Sequence, residues 1–279
     1  MFIMEFDILF IFLLILGGAT AGTFAGILGI GGSIFLVPLQ FYLLTRAGYP
    51  PDVALKVSIA TSLFFTFPTS FSSAYNHSKK KTVLWNKAVL MGLFGFSFSF
   101  IGAYIASFLD AAYLSIVFGL VVLSASLKFI FGRSDTDEPD AMSQNPILFA
   151  FCGAVMGLLA GLTGIGGGLV LIPLITVVIK MPLRQAVGTS SATIIFTALG
   201  GVLSYILNGI DAIGLPPYSF GYINLIMWTA LVIPGVLMAA VSAKHFHRLN
   251  QKYVKAVFSL VTFLVGVGMI SKGILLMTA

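Results

Sequence analysis

The chain has one cysteine, Cys152, so no intrachain disulfide and no cysteine-built metal site can form. Charge is nearly as scarce: Asp, Glu, Lys and Arg make up 9% of the 279 residues, against 58% apolar side chains. A soluble domain of this length needs far more charged surface, so a multi-spanning membrane protein is expected. Titratable groups are almost missing from the apolar runs, and His77, His245 and His247 all read as loop residues. That removes the nucleophile–base pairs and clustered ligands of an intramembrane enzyme, and with them a buried proton relay. We expect no enzyme activity, no catalytic residue, no metal and no cofactor. Lys and Arg are also absent ahead of the first apolar run, which carries Glu5 and Asp7 instead. Ala19-Thr20-Ala21 has the form of a cleavage site, but without a basic leader the segment reads as a retained first helix.

What the chain does have is length without charge. Residues 8–45 and 141–179 carry none. Each run is roughly 57 Å long as helix, too long for one crossing of a hydrocarbon core about 30 Å thick, so each holds two segments. Both runs are interrupted by the same pattern. The first copy is Gly18, Gly22, Gly26 and Gly29-Ile30-Gly31-Gly32-Ser33, closing at Pro38. The second is Gly153, Gly157, Gly161 and Gly164-Ile165-Gly166-Gly167-Gly168, closing at Pro173, every element at one fixed offset. A duplicated membrane unit broken by glycine at matched places marks a secondary transporter.

Five apolar segments are expected in the first half (6–28, 31–45, 54–75, 85–108, 112–132) and five in the second (145–163, 166–180, 185–207, 222–243, 253–275). The domains are then a first transmembrane repeat over 1–132, an acidic linker over 133–145, and a second repeat over 146–279. The fold class is all-α and polytopic. Loop charge orients the halves. Lys79, Lys80, Lys81 and Lys87 follow the third segment, whereas the matching loop 209–221 has no Lys or Arg. The next loops reverse this, with Lys244, Arg248, Lys252 and Lys255 opposite a base-free stretch at Asp110. By the positive-inside rule the two repeats are inverted, with both termini outside and the linker inside. The short, proline-bearing second segment of each half either spans or is re-entrant; a re-entrant segment makes the repeats parallel and leaves the charge pattern unexplained. The net charge of +6 sits in these loops, so it is a topology signal and nucleic acid is not a partner.

The candidate site lies at the glycine breaks. Glycines spaced by four make a smooth face for close helix packing. The denser clusters weaken a helix and leave free N–H groups at the start of the next one, where an anion binds. The substrate-binding residues expected are Gly29, Gly31, Gly32, Ser33, Ser58 and Thr61, with Gly164, Gly166, Gly167, Gly168, Ser190 and Thr193 in the second half. The hydroxyls of Ser58, Thr61, Ser190 and Thr193 recur at matched places and either donate to an oxyanion or bond to the backbone one turn earlier. Asn76 and Asn208 close the same segments as helix caps. Gln40 is a lone polar residue in an apolar run. Lys56, matched by Gly188, is either functional at depth or snorkels to the interface beside Asp52.

The stretches Gly26-Ile-Leu-Gly-Ile-Gly-Gly-Ser-x4-Pro-Leu39 and Gly161-Leu-Thr-Gly-Ile-Gly-Gly-Gly-x4-Pro-Leu174, with Ala186-Val-Gly-Thr-Ser-Ser191, resemble the paired signatures of the TauE/SafE family. The pattern departs from the second half at Lys56-Val57 and Ser33. The resemblance implies a permease of the cell (inner) membrane for sulfite or another sulfur oxyanion or organosulfonate. The expected function is secondary transport of a small anion by alternating access, with the lipid bilayer and that anion as partners. The rival readings are an anion channel, a non-transporting membrane scaffold and an intramembrane enzyme.

Overall fold

The computed structural model describes residues 7–28, 32–131, 142–245 and 251–278. Gly29, Ile30 and Gly31, and the linker up to residue 141, lie outside the described residues. The chain forms α1 (Ile8–Leu28), α2 (Leu36–Arg46), α3 (Pro51–Lys79), α4 (Trp85–Phe108) and α5 (Ala111–Phe131). It continues with α6 (Pro146–Thr163), α7 (Gly168–Val178), α8 (Leu183–Gly209), a hairpin β1 (Ser219–Phe220) and β2 (Ile223–Asn224), α9 (Leu225–His245) and α10 (Gln251–Thr278). Among the described residues seven helices are long and apolar enough to cross a bilayer. The protein is an all-α, polytopic, multi-pass membrane protein, to which the structure adds one antiparallel two-stranded hairpin that hydropathy did not signal. The fourth apolar segment of the second half consequently begins as strand and becomes helix only at Leu225. His77 sits in the last turns of α3 rather than in a loop.

Local sequence sets the matched helix starts. Pro50 precedes α3 with φ −54° and ψ 139°, and Pro182 precedes α8 with φ −55° and ψ 137°. Proline fixes φ there, and the extended ψ turns the chain out of the preceding loop. Asn145 caps α6 by accepting the Ile147 N–H at 3.0 Å, with Pro146 in the first turn. α6 stops at Gly164, whose N–H donates to Ala160 O at 2.8 Å.

The glycine stripes decide the packing. Gly18, Gly22 and Gly26 of α1 lie against the backbone of Leu231, Gly235 and Ala239 of α9. Gly153, Gly157 and Gly161 of α6 lie in the same way against Met91, Gly95 and Ser99 of α4. A side chain at any of the six would meet a backbone carbonyl, so only glycine allows this approach. The first helix of each half is therefore held by the fourth helix of the other.

The pairings also give directions. Gly92 meets Phe196 and Gly200 meets Phe96, so α4 and α8 run the same way, as α4 and α6 do. The α7 segment must then return between α6 and α8. The Ser143 N–H, just before α6, donates to Ile179 O at the end of α7 at 3.0 Å, which brings α7 back to the level where α6 began. α3 and α8 cross in opposite senses, with Leu63 on Gly201 and the Ser73 and Ser191 hydroxyls 3.1 Å apart. α5 and α10 do likewise: Gly273 meets Ala112, and Ser126 Oγ donates to Ser259 O at 2.8 Å. α3 and α8 are the buried centre, and Phe12, Leu93, Ile233 and Leu264 are among the apolar side chains exposed on the outer helices, where lipid lies.

A candidate anion site at the helix breaks

The second cluster is the joint between α6 and α7. Gly164, Gly166 and Gly167 hold φ of 71°, 73° and 84°. That left-handed region costs an L side chain about 1–2 kcal/mol per residue, which is why the joint is glycine. Gly164 through Gly168 are all buried. The N–H groups of Val170 and Leu171 donate to Gly167 O at 3.1 and 2.8 Å. Between Gly164 and Val170, the N–H groups of Ile165, Gly166, Gly167, Gly168 and Leu169 meet no acceptor among the described residues. Gly168 and Leu169 are the open N–H groups that any helix start leaves, and Ile165, Gly166 and Gly167 extend that run by three buried donors, an exception that needs a cause. A run of donors through left-handed residues at a helix N-terminus is the backbone arrangement that binds anions.

The joint rests on α3. A Cβ at Gly164 would stand 2.7 Å from Ile59 O, and one at Gly166 would stand 3.0 Å from Thr66 Cγ2 and 3.2 Å from its Oγ1. Ile59, Ser62 and Thr66 share one helical face. Thr197 Oγ1 of α8 lies 3.5 Å from Gly166 O. Tyr205, fully buried on α8, donates from its hydroxyl to Gly161 O at 2.9 Å, just ahead of the joint. The break is packed shut here. Clefts lie elsewhere, one of about 230 Å³ between Phe41, Tyr42 and Lys272 and one of about 490 Å³ beside Asp52, Asp110 and Tyr113.

The first break is described only from Gly32 onward, so the expected contributions of Gly29 and Gly31 fall outside the described residues. Gly32 has φ 74° and lies against Ala21 O, as Gly167 lies against Met156 at the matching place. Ser33 is fully buried and its Oγ has no partner among the described residues.

The expected hydroxyls separate into two kinds. Ser58 Oγ donates to Ala54 O at 2.6 Å, Ser190 Oγ to Val187 O at 3.0 Å and Thr193 Oγ1 to Thr189 O at 2.9 Å. Those protons are spent on the helix backbone. Thr61 Oγ1 instead accepts the Asn224 N–H at 3.1 Å, which leaves its own proton uncommitted. Asn224 also receives Met227 N–H on its Oδ1 at 3.0 Å, capping α9, and its Nδ2 donates to Pro217 O at 2.8 Å. Burial pushes the Tyr222 phenol in the adjoining hairpin above its ordinary value.

Sequence reading missed Ser62, Thr66 and Thr197 on the helix faces beside the second break, and Asn224 as the partner of Thr61. Ser62 Oγ accepts from Gln40 Nε2 at 2.6 Å. The signal for Ser62 was present, as a polar residue one helical turn from Ser58, whereas Asn224 lies 163 residues from Thr61 and no local pattern joins them. Asn76 and Asn208 are not caps: each Nδ2 donates one turn back, to Ser72 O at 2.9 Å and Ser204 O at 2.7 Å, and both helices continue past them. Lys56 Nζ donates to Ser107 O at 2.8 Å, at the C-terminal end of α4, which is the snorkelling alternative. Among the described residues no three His, Cys, Asp or Glu gather as metal ligands.

Broken helices packed in paired halves are the architecture of a membrane transporter. The family model described as Sulfite exporter TauE/SafE matches residues 14–269, and the chain belongs to that family of membrane transporters. The chain is 29% identical over 277 residues to the probable membrane transporter protein MJ0441 of Methanocaldococcus jannaschii, covering 96% of this chain and 98% of the relative. It is 28% identical over 286 residues to the probable membrane transporter protein YunE of Bacillus subtilis, covering 95% and 98%. A second Bacillus subtilis relative, the probable membrane transporter protein YdhB, is 30% identical over 194 residues, covering 67% and 76%. No solved structure matches the chain.

Proposed function

We propose that the protein moves a small anion, a sulfur oxyanion or organosulfonate, across the cell (inner) membrane by alternating access between two inverted repeats. The five unaccepted N–H groups from Ile165 to Leu169 carry this reading. They supply positive potential without a cation in the core, where a buried Lys or Arg would be expensive. Gly164, Gly166, Gly167 and Gly168 give the backbone surface, with Gly29, Gly31, Gly32 and Ser33 as its first-half counterpart. Thr61 and Ser33 add hydroxyl donors; Ser58, Ser190 and Thr193 shape the wall and release a proton only by leaving the helix backbone.

Inversion is supported by the opposed runs of α3 against α8 and α5 against α10, and by the return of α7 between α6 and α8. The loop charges favour the same arrangement, with repeats over 1–132 and 146–279 joined by 133–145. The sulfur assignment rests on the family description. For an exported anion an inside-negative potential supplies about 2.3 kcal/mol per charge per 100 mV, so exit needs no proton relay.

The test is uptake of radiolabelled sulfite, thiosulfate and a short organosulfonate into proteoliposomes at a set membrane potential. Saturable flux that follows the potential is expected, and Gly166→Val should abolish it while the protein still reaches the membrane. Normal flux in Gly166→Val would remove the site; unitary currents would make the protein a channel.

A further inference from the structure

The two halves are not chemically equal at the breaks. Among the described residues Ser99 Oγ, beside Gly161, lacks a partner, and so do two fully buried oxygens of the segment that follows the first break, Ser33 Oγ and Gln40 Oε1. The matching second-half positions are Gly168 and Ile175, which offer no side-chain polar atom. Gln40 is braced from one side only. Its Nε2 donates to Leu36 O at 3.2 Å and to Ser62 Oγ at 2.6 Å, so the carbonyl end of the amide is left bare. Ser62 stands between Ile59 and Thr66 on the face of α3 that receives Gly164 and Gly166. The first half thus brings an amide with a bare acceptor, anchored through its Nε2 on Ser62, to the helix face that receives the second half's run of donors.

We infer that Gln40 is a specificity-determining residue that selects a singly charged, hydrogen-bearing anion. The inference rests on the anion-transport reading above. Two physical reasons lead to it. The donors at the breaks are all neutral, and the cost of taking an ion out of water rises with the square of its charge, so a dianion is excluded far more strongly than a monoanion. An unpaired buried acceptor rejects a bare oxyanion, because two acceptors repel, and rewards a ligand that presents a hydrogen. For a dibasic oxyanion both reasons select the singly protonated form.

The charged and titratable groups on the packed elements stand apart from the amide. On α2 they are Tyr42 and Arg46; on α3, Asp52 and Lys56 at one end and Tyr75, His77 and Lys79 at the other; on α10, Lys272, across a cleft with Tyr42. Among the described residues none of these hydrogen-bonds to Gln40. A pH profile should therefore follow the substrate's proton.

The experiment measures initial uptake of radiolabelled sulfite and of methanesulfonate, which is monovalent at every pH used and bears no hydrogen-bond donor, into proteoliposomes of the full chain across a pH series. For the wild type, sulfite uptake should fall about tenfold per pH unit above its second ionisation, while methanesulfonate uptake stays level. Gln40→Leu should lower sulfite uptake about tenfold or more and raise methanesulfonate uptake, because the acceptor that repels a donor-free oxyanion is gone. Ser62→Ala, which removes the brace, should shift the ratio the same way. Sulfite flux that ignores pH or rises with the dianion overturns the inference and leaves transport standing, as does an equal loss of both anions in Gln40→Leu. If Gln40→Leu does not fold, the wild-type comparison decides alone. No flux of either anion at any pH removes the transport reading, and this inference with it.

Discussion

The hydroxyl of Tyr205 and the carbonyl of Gly161 are joined at 2.9 Å, tying the C-terminal end of α8 to the last turn of α6 before its break. Tyr205 also meets the ring of Tyr222 edge-on at 6.2 Å, so the β1–β2 hairpin leans on the same residue. The matching first-half position is Ser73, whose hydroxyl reaches only Ser191. Tyr205→Phe keeps the ring and leaves a buried carbonyl with one partner fewer. It should lower stability by about 1 kcal/mol, read as a fall in the thermal midpoint of the detergent-purified protein.

Gly157 and Gly268 test what glycine does in this fold. Gly157 lies on the backbone of Gly95, whereas nothing stands within 4 Å of a Cβ at Gly268. Gly157→Leu should prevent α6 from seating on α4 and abolish monodisperse protein in size-exclusion chromatography. Gly268→Ala should be tolerated and raise stability by up to about 1 kcal/mol through helix propensity alone.

Thr61 has a holding role that serine can share. Thr61→Val would leave the buried Asn224 N–H without its acceptor and cost about 1–3 kcal/mol, while Thr61→Ser should preserve most of the stability. Uptake alongside thermal melts separates the roles: full flux in a folded Thr61→Val variant would show that its proton does not serve the anion.

Lys56 belongs to the helix ends. Its ammonium tops the C-terminal carbonyls of α4 while Asp52 Oδ1 accepts the Ala111 N–H at the start of α5. Lys56→Met should cost about 0.3–1 kcal/mol, the ordinary value for a cation at a helix C-terminus, and leave anion uptake within about twofold of wild type. A collapse of uptake in folded protein would move Lys56 into the transport path.

Periodic features of the chain were legible in sequence. The glycine clusters follow from a local pattern, and the segments expected from 54 and 185 begin a few residues earlier, at Pro51 and Leu183, because Pro50 and Pro182 set the first turn. The fate of a hydroxyl does not. Ser58 and Thr61 look alike in the chain, and they differ because Asn224, far along it, displaces the backbone as Thr61's partner. The hairpin was hidden for a similar reason: Ser219–Asn224 is too short to show alternation, and it is set by tertiary contacts with Tyr205 and Thr61. The second segments, ambiguous by length, take their direction from helices that sequence alone does not place beside them.

The exchange of first helices between halves bears on how the chain is made. α1 closes at Leu28, and the surface that its glycines fit does not exist until α9 begins at Leu225. α6, by contrast, emerges after α4 and finds its partner already inserted. During synthesis the smooth face of α1 must wait among lipids, or in the care of the insertion machinery, while nearly the whole protein is added. A ribosome that stops short of α9 releases a product whose first helix keeps its contacts with α2 but lacks the backbone that its glycines fit.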